Sequence, residues 1–240
     1  MNKKFYKTIF FAIFLNFLLI NNLQIKSTVI NHNLSNKNIY KIKINRKNIE
    51  EILKLLEKFD YKNAPKKNLV NGRITYSYTK LKNEPKKSIE ELERIINDPE
   101  KTTKYKKFIT QAMLTLISNG VNIFVKDIKK DISAQWFYKS KSITIDENSF
   151  KIGTKDFAYL LSHEMIHVSQ SCKGGGIDSY PVLIGLDLKK PNTSNYKSLS
   201  SSFYKELNDN QINLEMEAYA HQENLMQSLN MFKYFCLKIR

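Results

Sequence analysis

The sequence predicts an α+β fold, and three observations carry that expectation. The runs Val121-Asn-Ile-Phe-Val125, Ala134-Gln-Trp-Phe-Tyr138 and Ser142-Ile-Thr-Ile-Asp146 are short and rich in β-branched and aromatic residues, and Lys139-Ser-Lys joins the last two in hairpin fashion. Ahead of them, Thr103 to Ser118 has the apolar spacing of a helix that ends at Asn119-Gly120. Behind them, Phe157, Leu160, Leu161, Met165, Ile166 and Val168 recur along a second helix, which Thr154 can cap and Gly174-Gly-Gly176 stops.

The other elements follow in chain order. Met1 to Lys7 carry three lysines and no acid, and Thr8 to Ile20 is an apolar run interrupted by Asn16, which together read as a secretory signal. The run is shorter than the ~20 residues of a membrane-spanning helix, which favours export. No small-x-small cleavage site follows Ile20, so an uncleaved anchor stays open; in either form the remainder crosses, to a periplasmic or secreted location. Ile39 to Ile44 alternates as a short strand, and Asn48 to Phe59 is spaced as an amphipathic helix. Asn63 to Asn71, with Pro65 and a lysine pair, reads as a loop, and Arg73 to Tyr78 as a strand. Ser88 caps a helix to Ile96, with Glu91 three residues on. Gly174 to Ser202 is a Gly/Pro/Ser-bearing connection, and one final helix is expected from Asn210 to about Leu237. A chain of 240 residues suits one domain plus an appendage. The expected division is 1–27 as signal or anchor, 28–101 as a mostly helical N-terminal segment, and 102–240 as the main domain.

The formal charge of +16 does not indicate a nucleic-acid ligand. Arginine occurs only at Arg46, Arg73, Arg94 and Arg240, and the lysines are mixed with acids and apolar residues, whereas base and phosphate readers favour the planar guanidinium. Adhesion to an anionic surface is the bland alternative for such a chain. Cys172 and Cys236 are the only cysteines. In an exported protein an even pair suits a disulfide, with two free buried thiols as the alternative.

The helix after the strands contains His163-Glu164-Met165-Ile166-His167. Residues four apart share a helical face, so the two imidazoles can meet one cation, and Glu164, turned about 100° from His163, flanks the pair. That arrangement fits zinc, which lowers the pKa of a bound water whose proton Glu164 can take. A third ligand must come from elsewhere. Leu214-Glu-Met-Glu-Ala-Tyr-Ala-His221 supplies the candidates Glu215, Glu217 and His221. Projected on one continuous helix, Glu215 falls beside the apolar face of Leu214, Ala218, Leu225 and Leu229, while Glu217 falls on the other side, as a solvated face would.

On these motifs the chain resembles the gluzincins, the thermolysin-like zincin metallopeptidases whose His-Glu-x-x-His helix is completed by a glutamate on a later helix. Glu215-Met-Glu-Ala-Tyr219 is similar to the Glu-x-x-Ala-Asp form of small gluzincins, with Tyr219 in place of the aspartate that orients a zinc histidine. The similarity covers about Val121 to Ser171 and Asn213 to His221. It implies a zincin-like fold, with a small mixed sheet whose antiparallel edge strand packs on the motif helix and a C-terminal helix that bears a ligand. It also implies a Zn2+ cofactor held by His163, His167 and Glu215, with Glu164 as general base in peptide-bond hydrolysis. The edge strand, with Ala134, Gln135 and Trp136, would bind extended peptide by strand addition. A non-catalytic binding module of the same fold is the alternative. His221 or Tyr180 as oxyanion donor, Gln170 and Trp136 as site lining, and Gly174 to Gly176 as a rim are further candidates, each with a plain packing or loop role as its rival. A Cys172–Cys236 bond would brace the two ligand-bearing helices.

Overall fold

Lys43 alternates with Ile42 and Ile44 in β1 (Ile42–Ile44), which buries Ile44 and pairs antiparallel with β4 (Asn122–Lys126). The computed structural model describes residues 42–79, 86–99, 101–128, 132–186 and 207–237. The expected signal or anchor at 1–27 lies outside them. Among the described residues no helix is long and apolar enough to cross a membrane.

The architecture is α+β. The main sheet runs β1-β4-β6-β5, where β5 is Ala134–Phe137 and β6 is Ser142–Asp146. β4 and β6 are parallel, and β5 pairs antiparallel with β6 in the register Phe137↔Ser142 to Ala134↔Ile145. The short Tyr138–Ser140 helical turn and Lys141, in the left-handed conformation, close that hairpin. β5 is therefore the outer strand of the described sheet.

Ile123, Val125, Ile143 and Ile145 meet α3 (Thr103–Ser118) and α4 (Thr154–Lys173) in one core, with Ile109, Met113, Leu116, Phe157, Leu161 and Met165 fully buried. α4 is sequestered on nearly every side, because α6 (Leu225–Leu237) also packs along it through Leu229 and Phe232. That enclosure is why its apolar residues fall on several sides instead of along one stripe, and why Ser162, Ser169 and Gln170 are buried with them.

Four expectations change. First, the core is not divided at residue 101: α1 (Ile49–Asn63) contributes Ile49, Leu53 and Leu56 to the same cluster, and β1 extends the sheet. Second, Asn63 to Asn71 is not all loop. β2 (Lys66–Val70) pairs with β3 (Arg73–Ser77) across Asn71-Gly72, both at positive φ. Asn-Gly favours that tight hairpin turn, but β2 is exposed throughout and has no apolar alternation to betray it. The hairpin is tied to α2 (Ile89–Asn97) through Glu93, which accepts from Lys67 Nζ and the Tyr76 hydroxyl; Ser88 caps α2 as expected by accepting from Glu91 N.

Third, Thr154 does not cap α4. It is the first helical residue, and the cap comes from α1: Asp60 Oδ1 accepts from Thr154 N at 2.7 Å, and Oδ2 accepts from its hydroxyl. Gly153, at φ +95°, has Asp60 Oδ1 only 2.6 Å from where a Cβ would lie, so the approach needs glycine. Fourth, the C-terminal helix is two. α5 (Asp209–His221) and α6 are separated by Gln222 to Asn224, and Asn224 Oδ1 accepts from Gln227 N as a new cap. Apolar residues continue on both sides of this break, so periodicity runs straight through it.

Candidate metal centre

Because α4 is a regular helix, His163 and His167 lie one turn apart, and their Nε2 atoms approach to 3.0 Å. The capping box of Asn208 and Gln211 starts α5, which runs beside α4 and brings in Glu215. Its Oε2 lies 3.3 Å from His163 Nε2 and its Oε1 3.3 Å from His167 Nε2. One ligand atom from each of the three residues falls within 4.8 Å of the others, a grouping that can hold a metal ion.

Electrostatics follow from this enclosure. Burial holds the His163 imidazole below its ordinary value. The same burial acts on His167, but the Glu215 and Glu164 carboxylates outweigh it and push that imidazole up to about 9. Burial opposes charge on Glu215 too, yet the two imidazoles hold it well below the usual carboxylate range. Glu164 is pushed up to about 8 by burial, against the pull of His167 and of the Trp136 backbone N–H.

The residues fit a cation on two grounds. Two imidazole nitrogens and a carboxylate converge as an N, N, O donor set of the kind divalent transition metals accept. Beside them the buried Glu164 Oε2 has no hydrogen-bond partner within the described protein. Buried carboxylate oxygens need a partner, so one of cationic or donor character is in keeping with the site.

Glu217 and His221 do not join the cluster. Glu217 is also not on a solvated face. It is fully buried, and its carboxylate accepts from Gln170 Nε2 and the backbone N–H groups of Ile184, Gly185 and Leu186. The projection failed because it placed solvent where the 182–186 segment returns to cover α5. His221 Nδ1 instead lies 3.1 Å from Gln227 Oε1. Gln170 lies behind the site: its Oε1 is 2.8 Å from His167 Nδ1. The Tyr219 ring packs 4.4 Å from that of His163, where the resembling motif has aspartate.

The other candidates divide similarly. Ala134 and Trp136 pack against the core, and the Trp136 indole N–H donates to Ser171 Oγ at 2.9 Å, so this side chain is anchored inward; Gln135 is half-buried on the same strand. The Tyr180 ring packs edge-on against Tyr138. Gly174 is required by close packing, since a Cβ there would sit 2.2 Å from the Tyr180 carbonyl oxygen. A disulfide joins Cys172 to Cys236. It ties α4 to α6, and because of the break at Gln222 to Asn224 it does not directly brace the Glu215-bearing helix. No family model, curated protein or solved structure matches the chain.

Proposed function

We propose that the chain is a zinc-dependent metallopeptidase of zincin-like fold, with His163, His167 and Glu215 as the residues that hold zinc. The observation that carries the reading is the convergence of those three side chains beside the buried carboxylate of Glu164. When bound, zinc would supply a Lewis acid that favours deprotonation of water and polarises a carbonyl.

Glu164 would hold and move the proton. Buried beside the ligand cluster with one carboxylate oxygen unpartnered, it is placed to take a proton from water and return one to a leaving amine. The Trp136 N–H that faces it favours the charged, proton-accepting form. β5, antiparallel and outermost in the described sheet, offers backbone groups to an extended peptide, so Ala134, Gln135 and Trp136 would bind substrate through the main chain. Enclosure of the ligands at under a tenth exposure for both histidines keeps bulk water from competing for them. The Cys172–Cys236 bond suits an oxidising compartment and so supports export, free or anchored by the N-terminal segment.

Metal analysis paired with digestion of a peptide library tests the reading. The wild type is expected to carry one zinc per chain and cleave, and Glu164→Gln to keep the zinc and lose at least ~100-fold in turnover, the scale of a general-base contribution. Zinc without cleavage in either protein would favour a binding module of the same fold. Folded, oxidised protein that takes up no zinc would refute the metal site.

A further inference from the structure

The metal reading makes no use of Glu217, yet this carboxylate is fully buried and receives four N–H groups. Oε2 accepts from Ile184 N at 2.8 Å and Gln170 Nε2 at 2.9 Å, and Oε1 accepts from Gly185 N at 2.8 Å and Leu186 N at 2.9 Å. Gly185, at φ +86°, lets three consecutive amides turn toward one carboxylate. The same segment is fastened to α4: Val182 N donates to the Gln170 carbonyl, and Lys173 Nζ donates to the carbonyls of Leu183 and Ile184.

Gln170 connects this cradle to the ligand cluster. Its Nε2 faces both the Glu217 carboxylate and the Leu214 carbonyl, at 2.9 and 3.1 Å. Both partners accept, which fixes the NH2 end of the side-chain amide on that side. The oxygen end must then face His167 Nδ1, 2.8 Å away. An amide oxygen only accepts, so Nδ1 must carry hydrogen. That leaves Nε2 as the nitrogen available to a cation, on the side where His163 Nε2 and Glu215 converge.

We propose that Glu217 is a positioning residue that acts through Gln170 to hold His167 as an Nδ1–H donor, and that it thereby couples docking of residues 184–186 to divalent-cation affinity. This rests on the metal reading of the cluster. Glu217→Gln would put an NH2 group among N–H donors. The Gln170 amide then keeps only the Leu214 carbonyl as acceptor or reverses, and a reversed amide presents NH2 to Nδ1 and selects the wrong tautomer.

The test is a double-mutant cycle on the full chain, with Zn2+ affinity measured by competition against a chromophoric chelator. Glu217→Gln and Gln170→Met are each expected to weaken Zn2+ binding about 10- to 100-fold. The double variant should be weaker than Gln170→Met alone by no more than about threefold, because the second change removes a link already cut. An equal loss from Glu217→Gln in both backgrounds, or none in the wild type, overturns the proposal while leaving the metal site standing. A wild type that takes up no Zn2+ overturns both. Should Glu217→Gln not fold, hydrogen exchange at the Ile184 to Leu186 amides decides. By reciprocity of coupling, Zn2+ should slow exchange several-fold in the wild type and leave it unchanged in Gln170→Met; equal slowing in both overturns the proposal.

Discussion

Asp60 offers the most direct test of how the motif helix is held, because one carboxylate on α1 caps α4 from 94 residues away. In Asp60→Ala the Thr154 N–H and hydroxyl both lose their acceptor, and Thr154 is fully buried, so water cannot replace it without local opening. Loss of an N-terminal cap costs about 1 kcal/mol, and a buried group left unsatisfied costs about 1–3 kcal/mol. The expected total is about 3 kcal/mol. Asp60→Asn keeps one oxygen for the Thr154 N–H and its NH2 can donate to the hydroxyl, so only the charge and its interaction with the helix N-terminus are lost, about 1 kcal/mol. Urea denaturation followed by circular dichroism should therefore rank wild type, Asn and Ala in that order with unchanged m values. For a domain of this size the Ala variant should melt roughly 6–12 °C lower. A loss under ~0.5 kcal/mol in Asp60→Ala, within the range of ordinary surface changes, would refute the capping argument. Equal losses in the two variants would show that charge, not acceptor geometry, is what α4 requires.

Two further outcomes follow from the same structure. Cys172 and Cys236 are 64 residues apart, so replacing both by serine should cost about 4 kcal/mol in the chain-entropy model, read as a lowered denaturation midpoint; no change would mean the bond is absent or strained to no benefit. Zn2+ affinity should weaken as pH falls, because both histidines must bind as neutral imidazoles, and the raised pKa of His167 extends this proton competition above neutrality. Chelator competition from pH 6 to 9 measures it, and a profile flat above neutrality would refute the raised pKa of His167.

Much of the site's neighbourhood was legible in the sequence because it is governed by short-range rules. The β5–β6 hairpin, the Ser88 cap and the helix around His163 and His167 each depend on residues within a few positions. Asn71-Gly72 was equally local, and it was missed only because exposed β2 lacks the alternation that signals a strand. The failures elsewhere share a cause. Projection over 210–237 assumed one helix and an unoccupied outer face; Asn224 starts a new helix, and residues 182–186 cover Glu217.

By itself, then, the sequence determined the α+β class and the presentation of two imidazoles on one turn of helix, since a spacing of four residues and a pitch of 3.6 leave little alternative. Only the tertiary structure decided which carboxylate meets them, that Glu217 is enclosed, that Gln170 bridges it to His167, and that Asp60 caps the motif helix. Those contacts join α4 to residues tens of positions away. Helical periodicity fixes what lies on a face, while the element that arrives to cover that face depends on where the chain turns and on how its buried polar groups are satisfied.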